Sequence, residues 1–375
     1  MVSGVGISSF SDLGLRSNEA PHHYTGINMG THHYAYIIEG TYYPPNMRNT
    51  SILVTLVLAS SMIAGCMSES TKEASEEDLP LVENPNDESP FSEHCMEYEE
   101  LERCWLLLVP AILNESSNVP LLIDIHGGGD DMYEQRWTSD FANISMEQGF
   151  IVAYPQGYND IWNMGSSWGP CSVGILCSEE DDVGFILQVV DEIMQNHSID
   201  KSRIYVTGWS NGCGMTQRLA VQASEVFAAA GCMAMYRFAD VPSDYSPIPF
   251  MEVHGLLDEI VYYATTAPAA PVFGPEKGAI QNLESWADLN GCQGATPEVV
   301  VTEVDYDIRG YTDCENETQV MLVTLFFAAH NPYEHDDPVA QPGRGWANPT
   351  GVPTSTIVWE FLSQFSKEVD ESATM

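Results

Sequence analysis

The chain has 375 residues, 44% of them apolar, enough to build one large core without a second domain. Its 54 acidic residues against 13 basic ones give a formal charge of -41, which repels nucleic acid and anionic lipid surfaces and excludes both as charge-driven partners. Acid dispersed at this density keeps a surface soluble and does not by itself imply a cation site.

Residues 1–46 read as a non-native or untranslated extension, with Met47 as the expected start, so the pairs His22-His23 and His32-His33 are not taken as a metal site. Met47-Arg48-Asn49 precedes an apolar run from Ile52 to Ala64, too short for a bilayer span but suited to a signal peptide. The run ends in Ile63-Ala64-Gly65-Cys66, which resembles a lipobox. Residues 47–65 are therefore expected to be a lipoprotein-type signal peptide, with Cys66 as the lipidation site and the chain exported and anchored by lipid alone. Residues 66–100 are rich in acid and poor in large apolar side chains and read as a flexible tether. The folded domain is expected over 101–368, with a tail over 369–375. Apart from Cys66, eight of the nine cysteines remain, an even number that in an exported chain points to disulfides. Cys171 and Cys177 lie close together in one loop, and Cys292 and Cys314 flank an excursion before the last strand. No C-x-x-C pair or histidine stands at zinc-ligand spacing, so no metal is expected.

Within the domain, buried strands are expected at 104–109, 121–125, 150–154, 203–207, 228–235, 249–254 and 320–328. Helical patterns lie between them around 136–148, 183–197, 212–223, 278–289 and 355–366. Strands alternating with helices predict an α/β fold with a mainly parallel sheet covered on both faces.

The segment Ile204-Tyr-Val-Thr-Gly208-Trp-Ser210-Asn-Gly212 reads as a strand, a G-x-S-x-G turn and the start of a helix. A hydroxyl is a poor nucleophile unless a sharp turn presents it to a base, and flanking glycines permit that turn. Ser210 is the candidate nucleophile. His126-Gly127-Gly128-Gly129 follows another strand, and N–H groups of Gly127 and Gly128 with that of Asn211 form the candidate oxyanion hole. The acid is expected after the nucleophile at a strand end, where Pro249-Phe-Met-Glu252-Val-His254-Gly255-Leu-Leu-Asp258 offers Asp258 ahead of Glu252 or Glu259. His94, His126, His197 and His254 stand in the wrong place or order for the base. Of His330 and His335, His330 is preferred because it follows the last strand directly. Trp162, Trp168, Trp209 and Tyr333 are candidate lining residues for a substrate cleft.

From about Cys104 to Phe365 the chain resembles the exported polyhydroxybutyrate depolymerase and feruloyl esterase family of α/β hydrolases. The resemblance rests on Pro120-Leu-Leu-Ile-Asp-Ile-His-Gly-Gly-Gly129, Tyr154-Pro-Gln-Gly157, Asp182-Val-Gly-Phe-Ile186, Ile199 to Gly212, His254-Gly-x-x-Asp258 and Ile357-Val-Trp-Glu-Phe361. It implies an α/β-hydrolase fold, a triad of Ser210, Asp258 and His330, and a disulfide between Cys292 and Cys314. The chain departs from the family's pattern at Leu256, at Cys213 and at Phe327-Ala-Ala-His330. The expected activity is hydrolysis of carboxylic esters through an acyl-enzyme, on polymer-linked esters such as feruloyl or acetyl polysaccharide or hydroxyalkanoate oligomers, without a cofactor. The competing expectations are an acyltransferase and a lipid-anchored binding protein on a hydrolase scaffold.

Overall fold

Strand segments that are apolar on both faces must be covered on both sides, and the fold follows from that requirement. The computed structural model describes residues 23–28, 34–39, 90–113, 118–165, 178–264, 278–334 and 348–368. The chain divides into two units, Met1–Pro80 and Leu81–Met375. The expected signal peptide, lipidation at Cys66, the tail, Trp168, Cys171, Cys177 and His335 lie outside the described residues. In the first unit, β1 (His23–Asn28) pairs antiparallel with β2 (Tyr34–Glu39), His23 opposite Glu39.

The second unit opens with β3 (Phe91–Tyr98) and β4 (Leu101–Leu108), an antiparallel hairpin. The tether expected over 66–100 is corrected here, because its last residues form an edge strand. Cys95 is disulfide-bonded to its cross-strand partner Cys104, His94 stacks on Trp105 at 5.4 Å, and Tyr98 donates to Asp181 at 2.7 Å. These contacts hold an acidic strand that composition alone reads as solvated.

Then follow β5 (Val119–Ile125), α1 (Met132–Thr138), α2 (Phe141–Gln148), β6 (Ile151–Pro155), α3 (Asp182–Asn196), β7 (Ile199–Gly208) and α4 (Asn211–Gln222). The chain continues through β8 (Ala229–Met233), β9 (Phe250–Gly255), α5 (Ala279–Leu289), β10 (Glu298–Thr302), β11 (Tyr306–Tyr311), β12 (Val320–Leu325) and α6 (Thr354–Leu362). The helix expected over 136–148 is two helices. Asp131 caps the first through Tyr133 and Glu134 N–H groups, and the chain breaks at Ser139, whose hydroxyl turns inward to Asp124.

The strands form one sheet in the order β10-β11-β12-β9-β8-β7-β5-β6-β4-β3. From β12 to β6 every neighbour is parallel, and an antiparallel pair extends each side, the α/β-hydrolase arrangement expected. Sequence reading missed β10 and β11: β10 carries the short run Val299-Val300-Val301 but is largely exposed at the sheet edge. One face packs Phe185, Leu219 and Trp286 from α3, α4 and α5, and the other packs Phe141 and Trp359 from α2 and α6. Every strand of the central set is buried along its C-terminal half. Active-site groups of a parallel sheet gather beyond those strand ends.

Candidate active site

Two pairs of strand ends set the frame. Ile125 of β5 lies in register with Gly208 of β7, and Gly255 of β9 with Leu325 of β12. The first pair releases the loops of His126 and Ser210, and the second those of Asp258 and His330.

Ser210 occupies the turn between β7 and α4 with φ 52 and ψ -119, a conformation that costs a non-glycine residue about 1–3 kcal/mol. Its N–H donates to the Met233 carbonyl at 2.8 Å, anchoring the turn on β8. The flanking glycines are steric requirements: a Cβ on Gly208 would sit 2.7 Å from the Ile125 oxygen, and one on Gly212 would sit 2.2 Å from it. Cys213, where the family pattern has a second glycine, is disulfide-bonded to Cys232 of β8, tying the first turn of α4 to the sheet.

The geometry brings together three of the residues picked out by sequence. His330 Nε2 lies 2.8 Å from Ser210 Oγ, and His330 Nδ1 lies 2.8 Å from Asp258 Oδ2. Asp258 Oδ1 accepts from the Ile260 and Val261 N–H groups at 2.9 and 2.8 Å. Burial works against ionisation of Asp258, but hydrogen bonds from His254 and His330 hold its carboxyl well below the usual carboxylate range. An ionised carboxylate only accepts, so Nδ1 carries the hydrogen and Nε2 is left to receive the Ser210 proton. The arrangement can generate an alkoxide-like nucleophile at Ser210.

The loop of His330 is pinned from two sides. Trp209 Nε1 donates to the His330 carbonyl at 2.8 Å, and the Leu257 N–H donates to the Ala328 carbonyl at 3.0 Å. Gly255 makes room for it, since a Cβ there would lie 2.2 Å from the Ala329 oxygen. The strand expected to run to 328 ends at Leu325, and 326–330 form the turn that delivers the histidine.

Gly127 lies against the Trp209 ring, where a Cβ would come within 2.9 Å, so its backbone passes beside the serine turn. Asn211 is the first residue of α4, where backbone N–H groups have no partner within the helix. Gly129, counted with the glycine loop, turns away: its N–H donates to the Asp160 carbonyl at 2.8 Å. The Asn211 side chain is also committed, accepting from Trp162 N and donating to Trp162 O.

Tyr333 is corrected from cleft lining to core. It is 1% exposed, its hydroxyl accepts from Gln135 Nε2 at 3.2 Å, and its ring meets Trp209 edge-on at 6.4 Å. Trp162 is likewise buried, packed against His126. Trp209 is nearly buried and braces the histidine loop. His126 closes the Gly157 turn, its Nε2 accepting the Gly157 N–H at 2.9 Å; burial drives its imidazole down to about 4. Sequence reading weighed Glu252 only as a second-choice acid and set His254 aside as a base; the structure pairs the two with each other and brings His254 to Asp258. Their spacing on one strand, with His254-Gly-x-x-Asp258 already noticed, was the available signal.

The structure forms disulfides Cys95–Cys104, Cys213–Cys232 and Cys292–Cys314, the last being the pairing implied by the resemblance. Among the described residues, no helix is long and apolar enough to cross a membrane.

Residues 104–267 match the family described as Esterase PHB depolymerase. Feruloyl esterase B of Piromyces equi is 27% identical over 258 residues, covering 66% of this chain and 42% of that protein. The bifunctional acetylxylan esterase/xylanase XynS20E of Neocallimastix patriciarum is 27% identical over 266 residues, 65% of this chain and 35% of its own. The chain thus spans less than half the length of either relative. Poly(3-hydroxyalkanoate) depolymerase C of Paucimonas lemoignei is 34% identical over 120 residues, 32% of this chain and 28% of its own. A solved acetyl xylan esterase from Aspergillus awamori aligns with TM-score 0.49 and 18% identity, covering 64% of this chain and 94% of that one.

Proposed function

We propose, from the match of residues 104–267 to the Esterase PHB depolymerase family, that this chain is an exported serine esterase acting on carboxylic esters, polymer-linked ones in particular. One observation carries the reading: Ser210, His330 and Asp258, arriving from three different strand ends, form a continuous hydrogen-bonded chain with both links at 2.8 Å.

In this reading, His330 Nε2 takes the Ser210 proton as Oγ attacks the ester carbonyl. Asp258 holds the imidazole in the required tautomer and stabilises its charged form. The N–H groups of Asn211 and of Gly127 or Gly128 receive the oxyanion, aided by the positive end of α4. His330 then protonates the leaving alcohol, water enters, and His330 activates it to release the acid and restore Ser210. The turn strain at Ser210 keeps the hydroxyl presented before substrate arrives. Trp209 supports the site from behind.

The named relatives include a feruloyl esterase, an acetylxylan esterase and a polyhydroxyalkanoate depolymerase, which supports an ester carried on a polymer as the substrate class. The three disulfides among the described residues support export into an oxidising compartment. Lipid attachment at Cys66 is part of the same proposal.

The test is hydrolysis of p-nitrophenyl acetate and butyrate, followed by methyl ferulate, acetylated xylan and hydroxybutyrate oligomers. The reading expects turnover that disappears in Ser210→Ala. A folded protein no more active than Ser210→Ala on every ester would overturn it.

A further inference from the structure

Asp258 is shared. On the same Oδ2 that His330 contacts stands a second histidine, His254, in a pair with Glu252 that the ester chemistry does not use. Alternate residues of a strand face the same way, so Glu252 and His254 of β9 both point into the α5 side of the sheet, and both are 0% exposed.

Their hydrogen bonds are specific. His254 Nδ1 lies 2.6 Å from Glu252 Oε1, and His254 Nε2 lies 2.7 Å from the Val261 carbonyl. A carbonyl only accepts, so Nε2 carries a hydrogen. That same Nε2 lies 3.4 Å from Asp258 Oδ2, the oxygen that His330 Nδ1 also contacts. The second Glu252 oxygen accepts from Asn282 Nδ2 at 2.6 Å, and the Gln217 Oε1 accepts from both Asn282 and Trp286 Nε1. Every polar atom of the pair is thereby committed.

We infer that Glu252 and His254 are positioning residues: a buried imidazolium, held by Glu252, fixes the Asp258 carboxylate and shares the oxygen that it presents to His330. The inference rests on the proposed roles of Ser210, Asp258 and His330. Electrostatics bear on it from both sides: burial pushes the Glu252 carboxyl up, while the hydrogen bond and charge of His254 oppose that, so a cation between Glu252 and Asp258 is what keeps both ionised in one dry site. The groups facing His254 are Glu252, Asp258, the Tyr236 ring stacked at 5.7 Å and the Tyr263 ring edge-on at 5.8 Å, with His330 beyond Asp258. Burial raises both tyrosine hydroxyls, which stay neutral. Burial alone would also push the His254 imidazole down, but its hydrogen bonds to Asp258 and Glu252 carry it up to about 10. His254 therefore remains charged while His330 takes up and returns the Ser210 proton. Two histidines on one carboxylate then have different work: one is a fixed charge and the other moves a proton.

A fixed cation drains part of the Asp258 charge, so that carboxylate stabilises positive charge on its other side less than an unshared one would. Removing the cation should move the acid limb of kcat/KM to higher pH, by about one unit. The measurement is the pH profile of kcat/KM for p-nitrophenyl acetate in wild type, Glu252→Gln and His254→Gln. Where His254→Gln fails to fold because Glu252 is stranded, the neutral pair Glu252→Gln with His254→Gln gives the same comparison. In parallel, ring nitrogen NMR of wild-type His254 should show both nitrogens protonated from about pH 5 to about pH 9. The inference is overturned by a neutral His254 at pH 7, or by variants that lose rate with the acid limb unmoved, which is the signature of a merely structural role. Failure of the triad reading looks different: wild type then shows no Ser210-dependent hydrolysis, and the inference falls with it.

Discussion

The Trp209 indole, one residue before the nucleophile, donates its Nε1 hydrogen to the main-chain carbonyl of His330 at 2.8 Å. The neighbour of the serine thus holds the loop that carries the base, and the two halves of the site are set against each other by one buried hydrogen bond. A donor removed there leaves a buried carbonyl unsatisfied and frees the histidine turn.

Trp209→Phe keeps most of the ring packing and loses the donor. The expected result is a fall in kcat of about tenfold with KM little changed, because the proposed base drifts while the substrate surface is kept. Steady-state kinetics on p-nitrophenyl acetate checks it; an unchanged kcat would mean that the loop is held without this bond.

Gly255→Ala tests the other support of the same loop. Its new Cβ would lie 2.2 Å from the Ala329 oxygen and 2.4 Å from the Ala328 oxygen, so the chain carrying His330 must move. A displacement of roughly 1 Å at a reacting group costs on the order of a hundredfold in rate. The variant is expected to fold and to lose most of its turnover, with circular dichroism and kinetics measured on the same sample.

Much of this was readable from the chain. Ser210 was recognisable because a serine turn needs Gly208 and Gly212 around it, and these glycines meet backbone oxygens of the neighbouring loop at distances that only a missing Cβ allows. Asp258 and His330 were recognisable from their order after the strands. What was not readable depended on partners distant in sequence. Tyr333 looked like a cleft residue because nothing local shows that Gln135 and Trp209 enclose it. Phe91–Tyr98 looked like tether because its acidic residues hide a strand fastened by Cys104, Trp105 and Asp181. His254 was dismissed for standing before Asp258, although its contact with that carboxylate arises because the turn folds back on the strand.

Ser210 stores strain at φ 52. Glycine tolerates that backbone and alanine does not, so Ser210→Gly is expected to be more stable than Ser210→Ala by about 1 kcal/mol, with both inactive. Urea unfolding of the two variants gives the comparison. Equal midpoints would mean that the turn is not strained in solution.

Asp124, near the end of β5, is fully buried, accepting from Gln135 Nε2 at 2.7 Å and from Ser139 Oγ at 2.6 Å. Burial pushes its carboxyl up to about 7. An acid whose folded pKa is raised binds its proton more tightly when folded, so its contribution to stability falls as pH rises from the unfolded value toward and past about 7. Asp124→Asn removes that penalty. Relative to wild type, it is expected to gain on the order of 3 kcal/mol of stability between about pH 5 and about pH 9, by urea unfolding at both. A pH-independent difference would mean that Asp124 is ionised throughout or neutral throughout.

If His330 activates Ser210, active-site labelling reports it without reference to any substrate. Wild-type protein treated with a fluorophosphonate should gain one adduct, mapped by peptide mass spectrometry to Ser210. The adduct should be absent from Ser210→Ala and slowed by at least about a hundredfold in His330→Ala. Labelling at another residue, or at an equal rate in His330→Ala, would rule out activation of Ser210 by His330.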